Sequence, residues 1–278
     1  MFIWIQQAIA KYGQDIIIKI LAAGPVPKHV AFVMDGNRRY ARKHQKEIPQ
    51  GHSEGFVALK RVLEVCLYLG VSCVTVYAFA IDNFKRSPEE VDALMHLAET
   101  KLVELCEHGD LLDKYGVRLN VLGRKELLPE PVRAAIAKAE DMTRNNKRAI
   151  LNVCMPYGSR DEITTAVQSS VQNAMEGDCV VTEEDIESNL MTTLGNSPPL
   201  DILIRTSGVK RLSDFLLWQV RQPAISFIPR SLILLQCCED TQIHFTDTFW
   251  PDFALTDFIP ILLDYQRKVW SKPSNAGP

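Results

Sequence analysis

The chain has 278 residues and a formal net charge of −3, with 46% apolar and 23% charged residues. This composition is that of an ordinary globular protein with enough apolar side chains for a sizeable core. A general nucleic-acid-binding protein would carry a basic excess, so the composition argues against nucleic acid as a partner and leaves only a local basic pocket open.

Seven cysteines occur, at positions 66, 73, 106, 154, 179, 237 and 238. They form no CxxC pair, and no His/Cys cluster has the spacing of a zinc site. An odd number of cysteines without such motifs favours a reducing compartment.

Residues 1–24 read MFIWIQQAIAKYGQDIIIKILAAG, an apolar stretch interrupted by polar and charged side chains. A membrane-spanning helix needs roughly 20 mostly apolar residues, so this segment is instead expected to be an amphipathic helix that ends near Gly24-Pro25. Two interpretations remain open for it. The helix packs on its own domain, or it lies on a membrane surface or over an apolar substrate groove.

Strand and helix patterns alternate after Pro27. We predict strands at 29–35, 71–79, 117–123, 149–158, 200–208 and within 242–253, and helices at 55–69, 88–108, 129–145, 160–174 and 182–191. Ser87 as N-cap and Pro88 at the first helical position mark one helix start. The alternation predicts a single α/β domain with a mainly parallel six-stranded sheet, flanked by helices on both faces.

Charged residues follow three of the predicted strands. In parallel sheets ligands bind beyond the carboxyl ends of the strands, so these residues are expected to share one edge. The first strand is followed by Asp35-Gly36-Asn37-Arg38-Arg39, the second by Asn83, Lys85 and Arg86, and the fifth by Arg205, Lys210, Arg211 and Ser213.

Arginines at such an edge suit phosphate oxygens, which they bind through two parallel hydrogen bonds. Asp35 would be a poor neighbour for phosphate unless it held Mg²⁺, an ion that takes one or two carboxylates together with phosphate oxygens and water. Each arginine alone could form a surface ion pair, but the set favours phosphate. His52 is a core or loop histidine, or a phosphate contact.

Six stretches occur in the order found in a known family: HVAFVMDGNRRYA, GHSEGF, TVYAFAIDNFKRSPEEVDALM, LNVCMPYGSRDEI, DILIRTSGVKRLSDFLLWQ and IHFTDTFWPDF. They span about residues 25 to 265 and resemble the cis-prenyltransferases, the undecaprenyl and dehydrodolichyl diphosphate synthases. The stretches MDGNRRYA and NFKRS are similar to the corresponding motifs of the eukaryotic catalytic subunits. The resemblance implies a catalytic domain over 25–270 and a tail over 271–278.

The resemblance implies an activity: farnesyl diphosphate is extended with isopentenyl diphosphate to long-chain dehydrodolichyl diphosphate, for dolichol synthesis and protein glycosylation. It also implies Mg²⁺ as cofactor and a peripheral location on the cytosolic face of the endoplasmic reticulum membrane, or on lipid droplets. The implied catalytic residues are Asp35, which holds the metal, and Asn83, near the condensing carbons.

The remaining site residues also follow from the family motifs. Allylic diphosphate is expected at Gly36, Asn37, Arg38, Arg39 and His52, and isopentenyl diphosphate at Arg86, Arg205, Arg211 and Ser213. The growing chain needs an apolar tunnel. The predicted 88–108 helix carries a stripe that either lines this tunnel or belongs to the ordinary core: Val91, Leu94, Met95, Ala98, Leu102 and Leu105.

Two departures from the family pattern point to a partner. Bacterial homodimers of the family carry an Arg-x-Gly motif near their end, and no such triplet occurs in this sequence. Gln242 stands where those homodimers place a glutamate metal ligand, and Val209 replaces the glutamate expected after Gly208. We therefore expect a heteromer in which a Nogo-B receptor-type subunit supplies Arg-x-Gly. A non-catalytic subunit of the same complex is the alternative.

A third departure is the length of the connection between Gln219 and Gln242, which has 22 residues where the family needs only a short link. The segment 220–236 is either a lineage-specific loop or the translation of a retained intron. The intron is favoured because removing it joins LLWQ to CCEDTQIHF, a normal family stretch.

Overall fold

The computed structural model describes residues 13, 15–107, 109–177, 179–221 and 241–271. Six strands in the described residues form one parallel sheet in the order β3-β4-β2-β1-β5-β6. The predicted α/β domain with a parallel six-stranded sheet is confirmed. The strands are β1 (His29–Val33), β2 (Cys73–Tyr77), β3 (Val117–Leu122), β4 (Ala149–Cys154), β5 (Ile202–Arg205) and β6 (Gln242–Phe245).

Helices connect the strands and cover the sheet. They are α1 (15–22), α2 (Asn37–Lys43), α3 (Ile48–Leu69), α4 (Pro88–Cys106), α5 (Leu111–Tyr115), α6 (Glu130–Thr143), α7 (Ser159–Gly177), α8 (Glu183–Ser188), α9 (Met191–Leu194), α10 (Leu217–Arg221) and α11 (Leu255–Ser271). Ser87 caps α4 as predicted, since its side chain accepts a hydrogen bond from the backbone N–H of Glu90.

Two helix predictions need correction, and one long helix is missing from the predictions. Helix α3 begins at Ile48 rather than at residue 55, because Glu47 and Gln50 cap each other's backbone there. The helix predicted over 182–191 is two short helices, α8 and α9. Helix α11 was not predicted, although its buried residues recur at helical spacing; Pro260 inside the helix weakened that signal.

Helix α1 is amphipathic and lies against α11. Ile18 and Leu21 are buried whereas Ile16, Ile17 and Ile20 are exposed. The side-chain amide of Gln266 on α11 donates to the carbonyl oxygen of Leu21 at 2.7 Å. Residues 15–22 therefore pack on their own domain, while most of the predicted 1–24 helix lies outside the described residues.

Three other predicted features fall wholly or mainly outside the described part of the chain. His108, the predicted end of α4, is one of them, and α4 ends at Cys106. The segment 220–236 enters the described residues only at positions 220 and 221, the end of α10, and the tail only at residue 271. Among the described helices, none is long and apolar enough to cross a membrane.

Aromatic side chains fill the core on both faces of the sheet. On one face Phe32 of β1 lies 5.7 Å from the Trp250 ring and 6.0 Å from the Phe253 ring, measured between centroids. On the other face Tyr77 stacks on Phe215 at 4.5 Å. Burial on both faces explains why the inner strands β1, β2 and β5 read as continuous apolar runs, whereas the edge strands β3 and β6 carry polar residues at alternate positions.

A neutral histidine, His29, lies at the start of the central strand β1. His29 is buried, its Nδ1 lies 2.8 Å from the carbonyl oxygen of Pro198, and its Nε2 lies 2.7 Å from the hydroxyl of Thr75. The carbonyl can only accept, so Nδ1 carries the proton and Nε2 accepts from Thr75. Burial lowers the pKa of His29 to about 4, although the bond to Pro198 opposes the shift.

This pKa predicts an acid-sensitive fold. Between pH 6.5 and pH 4 the unfolded chain binds a proton at His29 that the folded chain rejects, so stability is lost as the pH falls. Over the whole window the loss is about 3 kcal/mol. Urea unfolding at pH 7 and pH 5 should show that the free energy of unfolding falls less for His29→Gln than for the wild type. The exposed His96 serves as control: His96→Gln should keep the wild-type drop, and equal drops in all three proteins would contradict the prediction.

Candidate active site

A cleft with a volume of about 1310 Å³ lies at the carboxyl ends of the central strands. Its mouth is charged and its interior is apolar. Every site residue predicted from the sequence lines it: Asp35, Gly36, Asn37, Arg38, Arg39, His52, Asn83, Arg86, Arg205, Arg211 and Ser213. The structure therefore brings together residues from three strand ends, as expected for a parallel sheet.

The turn between β1 and α2 places the carboxylate of Asp35 at this mouth. Gly36 has a φ of 107°, in the left-handed region that favours glycine, and its N–H donates to Asp35 Oδ1 at 2.7 Å. A Cβ on Gly36 would lie 2.9 Å from the Phe249 ring and 3.1 Å from the Cβ of Ser207. Any other residue at position 36 would therefore strain the backbone and crowd Phe249 and Ser207.

Asp35 is surrounded by guanidinium groups. Arg205 Nη2 donates to Asp35 Oδ2 at 2.8 Å, and Arg39 Nη2 lies 3.4 Å from Oδ1. Burial acts to raise the pKa of Asp35, but the hydrogen bond and charge of Arg205, together with the charge of Arg39, outweigh it and lower the pKa. The carboxylate is therefore ionised at neutral pH.

An ionised Asp35 fits the needs of Mg²⁺. Its oxygens accept from Gly36 and Arg205, and a carboxylate has about four lone-pair sites, so capacity for a cation remains. The described residues contain no group of three or more His, Cys, Asp or Glu side chains that could cage a metal. Mg²⁺ does not need such a cage, because it binds through one carboxylate with phosphate oxygens and water completing its shell.

The mouth has two halves: the first is the Asp35 turn with Arg38 and Arg39, and the second holds Arg86, Arg205, Arg211 and Ser213. Arg205, which is buried at the end of β5, organises the second half. Its Nη1 donates to the Arg211 carbonyl oxygen at 2.5 Å and to Ser213 Oγ at 2.7 Å. Arg211 Nε also donates to Ser213 Oγ, at 3.2 Å. The Nε of Arg205 has no hydrogen-bond partner among the described residues. Arg205, Arg211 and Ser213 thus form one linked group with a donor left for a ligand.

Glu90 is a residue that the sequence reading missed. On α4 its carboxylate accepts from Arg86 Nη1 at 2.8 Å and lies 3.5 Å from Arg38 Nη1 and 3.7 Å from His52 Nε2. It stands behind the cleft and links both halves of the mouth. The i, i+4 spacing of Arg86 and Glu90 could have indicated this pair. The alternative of simple ion pairs is thus partly right for Arg38 and Arg86.

His52 on α3 is neutral in this setting. Burial lowers its pKa, and the charges of Arg86 and Arg38 add to that effect, while Glu90 opposes it. Its buried Nε2 has no hydrogen-bond partner within the described chain. A ligand oxygen entering the cleft could provide that partner.

Asn83 sits in the 3-10 turn Ile81–Lys85 that follows β2. Its side-chain oxygen accepts from the backbone N–H of Ala80 at 3.1 Å, which fixes the orientation of the amide. The amide nitrogen is then left to donate towards the cleft.

Two glycines let α3 approach the Asp35 turn closely. A Cβ on Gly51 would lie 2.6 Å from the carbonyl oxygen of Asn37. A Cβ on Gly55 would lie 2.5 Å from Asn37 Oδ1 and 3.2 Å from the Trp250 ring. The two glycines of the motif GHSEGF therefore allow close packing at the site, and the motif also contributes His52 to the cleft.

We predict that Gly55→Ala displaces Asn37 and lowers kcat/KM at least tenfold, since a displacement of about 1 Å at a site can cost roughly a hundredfold in rate. Overpacking should also cost about 1–3 kcal/mol of stability, less the gain from removing a helical glycine. Steady-state kinetics and urea unfolding would measure both effects. Ser53→Ala, an exposed position on the same helix, should change neither. Wild-type kinetics in Gly55→Ala would refute the prediction.

The interior of the cleft is an apolar chamber between α3, α4 and the sheet. Four members of the predicted α4 stripe line it: Leu94, Ala98, Leu102 and Leu105. Met95 is buried in the core and Val91 packs against that core. The chamber is completed by Phe56, Leu59, Leu97, Val76, Val153 and Met155. Both interpretations of the stripe are thus partly correct.

The two substituted positions lie in different places. Val209 lines the cleft, next to the second half of the mouth. Gln242 pairs with Ile202 at the amino end of β6, whereas Asp35 follows the carboxyl end of β1. Gln242 therefore does not mark a missing metal ligand of this cleft.

An arginine-lined mouth that opens into an apolar interior is typical of a protein that binds a phosphorylated molecule with an apolar tail. A family model described as putative undecaprenyl diphosphate synthase matches residues 33–232. A dehydrodolichyl diphosphate synthase complex subunit of Schizosaccharomyces pombe is 46% identical over 256 residues, covering 91% of this chain and 90% of the relative. The chain belongs to this family, the cis-prenyltransferases, and is a prenyl-transferring enzyme.

Two further comparisons agree with this assignment. A dehydrodolichyl diphosphate synthase complex subunit of Homo sapiens is 41% identical over 266 residues, covering 95% of this chain and 74% of the relative. The crystal structure of lavandulyl diphosphate synthase from Lavandula x intermedia with dimethylallyl diphosphate matches with a TM-score of 0.72 and 30% identity. That match covers 87% of this chain and 95% of the other.

Proposed function

We propose that this chain is the catalytic subunit of a synthase that extends farnesyl diphosphate with isopentenyl diphosphate to long-chain dehydrodolichyl diphosphate. One observation carries the proposal: a single cleft joins an arginine-lined mouth to an apolar chamber. The mouth suits diphosphate groups, and the chamber suits a growing hydrocarbon chain.

The allylic diphosphate would lie at the β1–α2 turn. Arg38 and Arg39 would bind its oxygens, Gly36 and Asn37 would shape the turn around it, and the free Nε2 of His52 would add a contact. Asp35 would hold Mg²⁺, which when bound neutralises charge that develops on a leaving diphosphate.

Isopentenyl diphosphate would lie in the other half of the mouth, on Arg86, Arg205, Arg211 and Ser213. The allylic carbon–oxygen bond breaks and diphosphate leaves with the bonding electrons. The isopentenyl double bond supplies the electrons of the new carbon–carbon bond, and the proton lost from the isopentenyl unit passes to the released diphosphate. Asn83, which also lines the cleft, would orient the reacting ends through its amide nitrogen. Holding both substrates in this way supplies proximity and orientation.

We further propose that the enzyme works as a heteromer. The relatives from S. pombe and H. sapiens are named as complex subunits, and no Arg-x-Gly triplet occurs in this sequence. A Nogo-B receptor-type subunit would contribute that motif. The complex would act in dolichol synthesis for protein glycosylation, on the cytosolic face of the endoplasmic reticulum or on lipid droplets, with the exposed face of α1 as a peripheral membrane contact.

Incorporation of labelled isopentenyl diphosphate into farnesyl diphosphate tests the proposal. The full chain is assayed alone and after co-expression with such a subunit. We expect strong, processive incorporation only from the complex. Full activity of the chain alone would overturn the heteromer, and no incorporation under either condition would overturn the catalytic role.

The second candidate is a non-catalytic form of the same subunit, and the extra segment 220–236 favours it. Gln219, just before this segment, is buried and donates to Glu162 at 3.1 Å and to Thr192 at 3.0 Å, anchoring α10 to α7 and α9. An insertion at this point could disturb that anchor. Deleting 220–236 should raise activity if this form is impaired. Sequencing of the mature transcript would show whether the segment is a retained intron.

A further inference from the structure

Lys101 is an anomaly in the apolar chamber. Among the described residues of α4 that line the cleft, Lys101 alone carries a charge; the others are Leu94, Leu97, Ala98, Leu102 and Leu105. These positions recur at helical spacing, so Lys101 shares their face of the helix. It lies eleven residues beyond Glu90, or roughly 16 Å along the helix axis.

Contacts with α3 and α4 hold this lysine in place. Its Nζ lies 5.5 Å from the centroid of the Phe56 ring, which also lines the chamber, and it pairs with Glu104. Glu104 lies 3.8 Å from Lys60 on α3, and Lys60 donates to Asp110 at 2.8 Å. The side chain of Lys101 is 31% exposed, so water still reaches it.

Lys101 therefore stands where the apolar chamber meets solvent between α3 and α4. Its methylene stem can cover apolar surface while its ammonium remains hydrated. A hydrocarbon tail that entered this gap would strip water from the ammonium, which is strongly unfavourable. A tail along the sheet side of the chamber meets the apolar side chains of Val76, Val153 and Met155.

We propose that Lys101 is a specificity-determining residue that limits how far an apolar tail extends in the chamber, and so helps to set product length. The inference rests on the proposed function. The charge is the operative feature: an arginine should act as the lysine does, whereas methionine, of similar length and without charge, should admit longer tails.

Binding of prenyl diphosphates tests this without turnover. Titration calorimetry of the co-expressed complex with Mg²⁺ would use geranyl, farnesyl, geranylgeranyl and a longer polyprenyl diphosphate, with each variant introduced into this chain. Lys101→Met should bind the shortest ligand as the wild type does and the longest roughly fourfold tighter, the value of one additional buried methylene. Lys101→Arg should match the wild type throughout.

Lys114→Met is the matched control, because Lys114 also lies over an aromatic ring, 4.8 Å from the Tyr115 centroid, but does not line the cleft. It should bind every ligand as the wild type does. Binding of all four ligands with no gain in Lys101→Met would overturn the role of Lys101 alone. Failure of the wild type to bind any of them would overturn the proposed function, and the inference with it.

Discussion

Replacing Asp35 by asparagine should lower the incorporation of labelled isopentenyl diphosphate by roughly a thousandfold, the scale expected when charge stabilisation of a leaving group is lost. The amide keeps the size of the carboxyl group, but its single oxygen can accept from only one of the two donors, Arg205 or Gly36. It cannot hold a divalent cation with comparable strength, because Mg²⁺ prefers charged oxygen ligands. The expected loss of activity therefore comes from the loss of metal binding and exceeds what partial destabilisation would cause.

A Mg²⁺ titration of activity and a urea unfolding curve separate these effects. Asp35→Asn should lose its response to Mg²⁺ and should unfold in one transition at a lower urea concentration than the wild type, because Arg205 loses its charged partner. Asp264→Asn, at a surface position on α11, should keep full activity. Activity in Asp35→Asn within a factor of two of the wild type would remove the proposed role of Asp35 in metal binding.

Replacing Arg205 by methionine should reduce the free energy of unfolding by about 3 kcal/mol, the cost of removing one partner from a buried ion pair. The guanidinium donates to Asp35, to Ser213 and to the carbonyl oxygen of Arg211, so its removal leaves a half-buried carboxylate without its main partner. The same change should raise KM for isopentenyl diphosphate more than KM for farnesyl diphosphate, since Arg205 belongs to the second half of the mouth.

A double-mutant cycle isolates the ion pair from other effects of the substitution. Combining Arg205→Met with Asp35→Asn should destabilise by less than the sum of the two single changes. Arg160→Met, at an exposed arginine that also lines the cleft, should stay within about 0.5 kcal/mol of the wild type. Additive single effects would show that Asp35 and Arg205 do not stabilise each other.

Much of the fold could be predicted because the signals are local. The inner strands are short apolar runs rich in β-branched residues, and Ser87-Pro88 marks the start of α4. Helix boundaries were less certain where local signals conflict. Pro260 interrupts an otherwise clear apolar spacing in α11, and the capping pair Glu47 and Gln50 starts α3 before its apolar stripe begins.

The sequence by itself determined the family, the parallel sheet and the edge at which the charged residues gather, because motif order, strand pattern and the geometry of parallel sheets are all readable along the chain. Only the tertiary structure decided how the charges pair. Asp35 and Arg205 are 170 positions apart, and Glu90 meets Arg38 and His52 only when α4 packs beside α2 and α3. Such pairings depend on which side chains are desolvated together, and no local pattern encodes that. The same holds for Lys101, which reads as an ordinary surface lysine until α3 and α4 enclose the chamber that it borders.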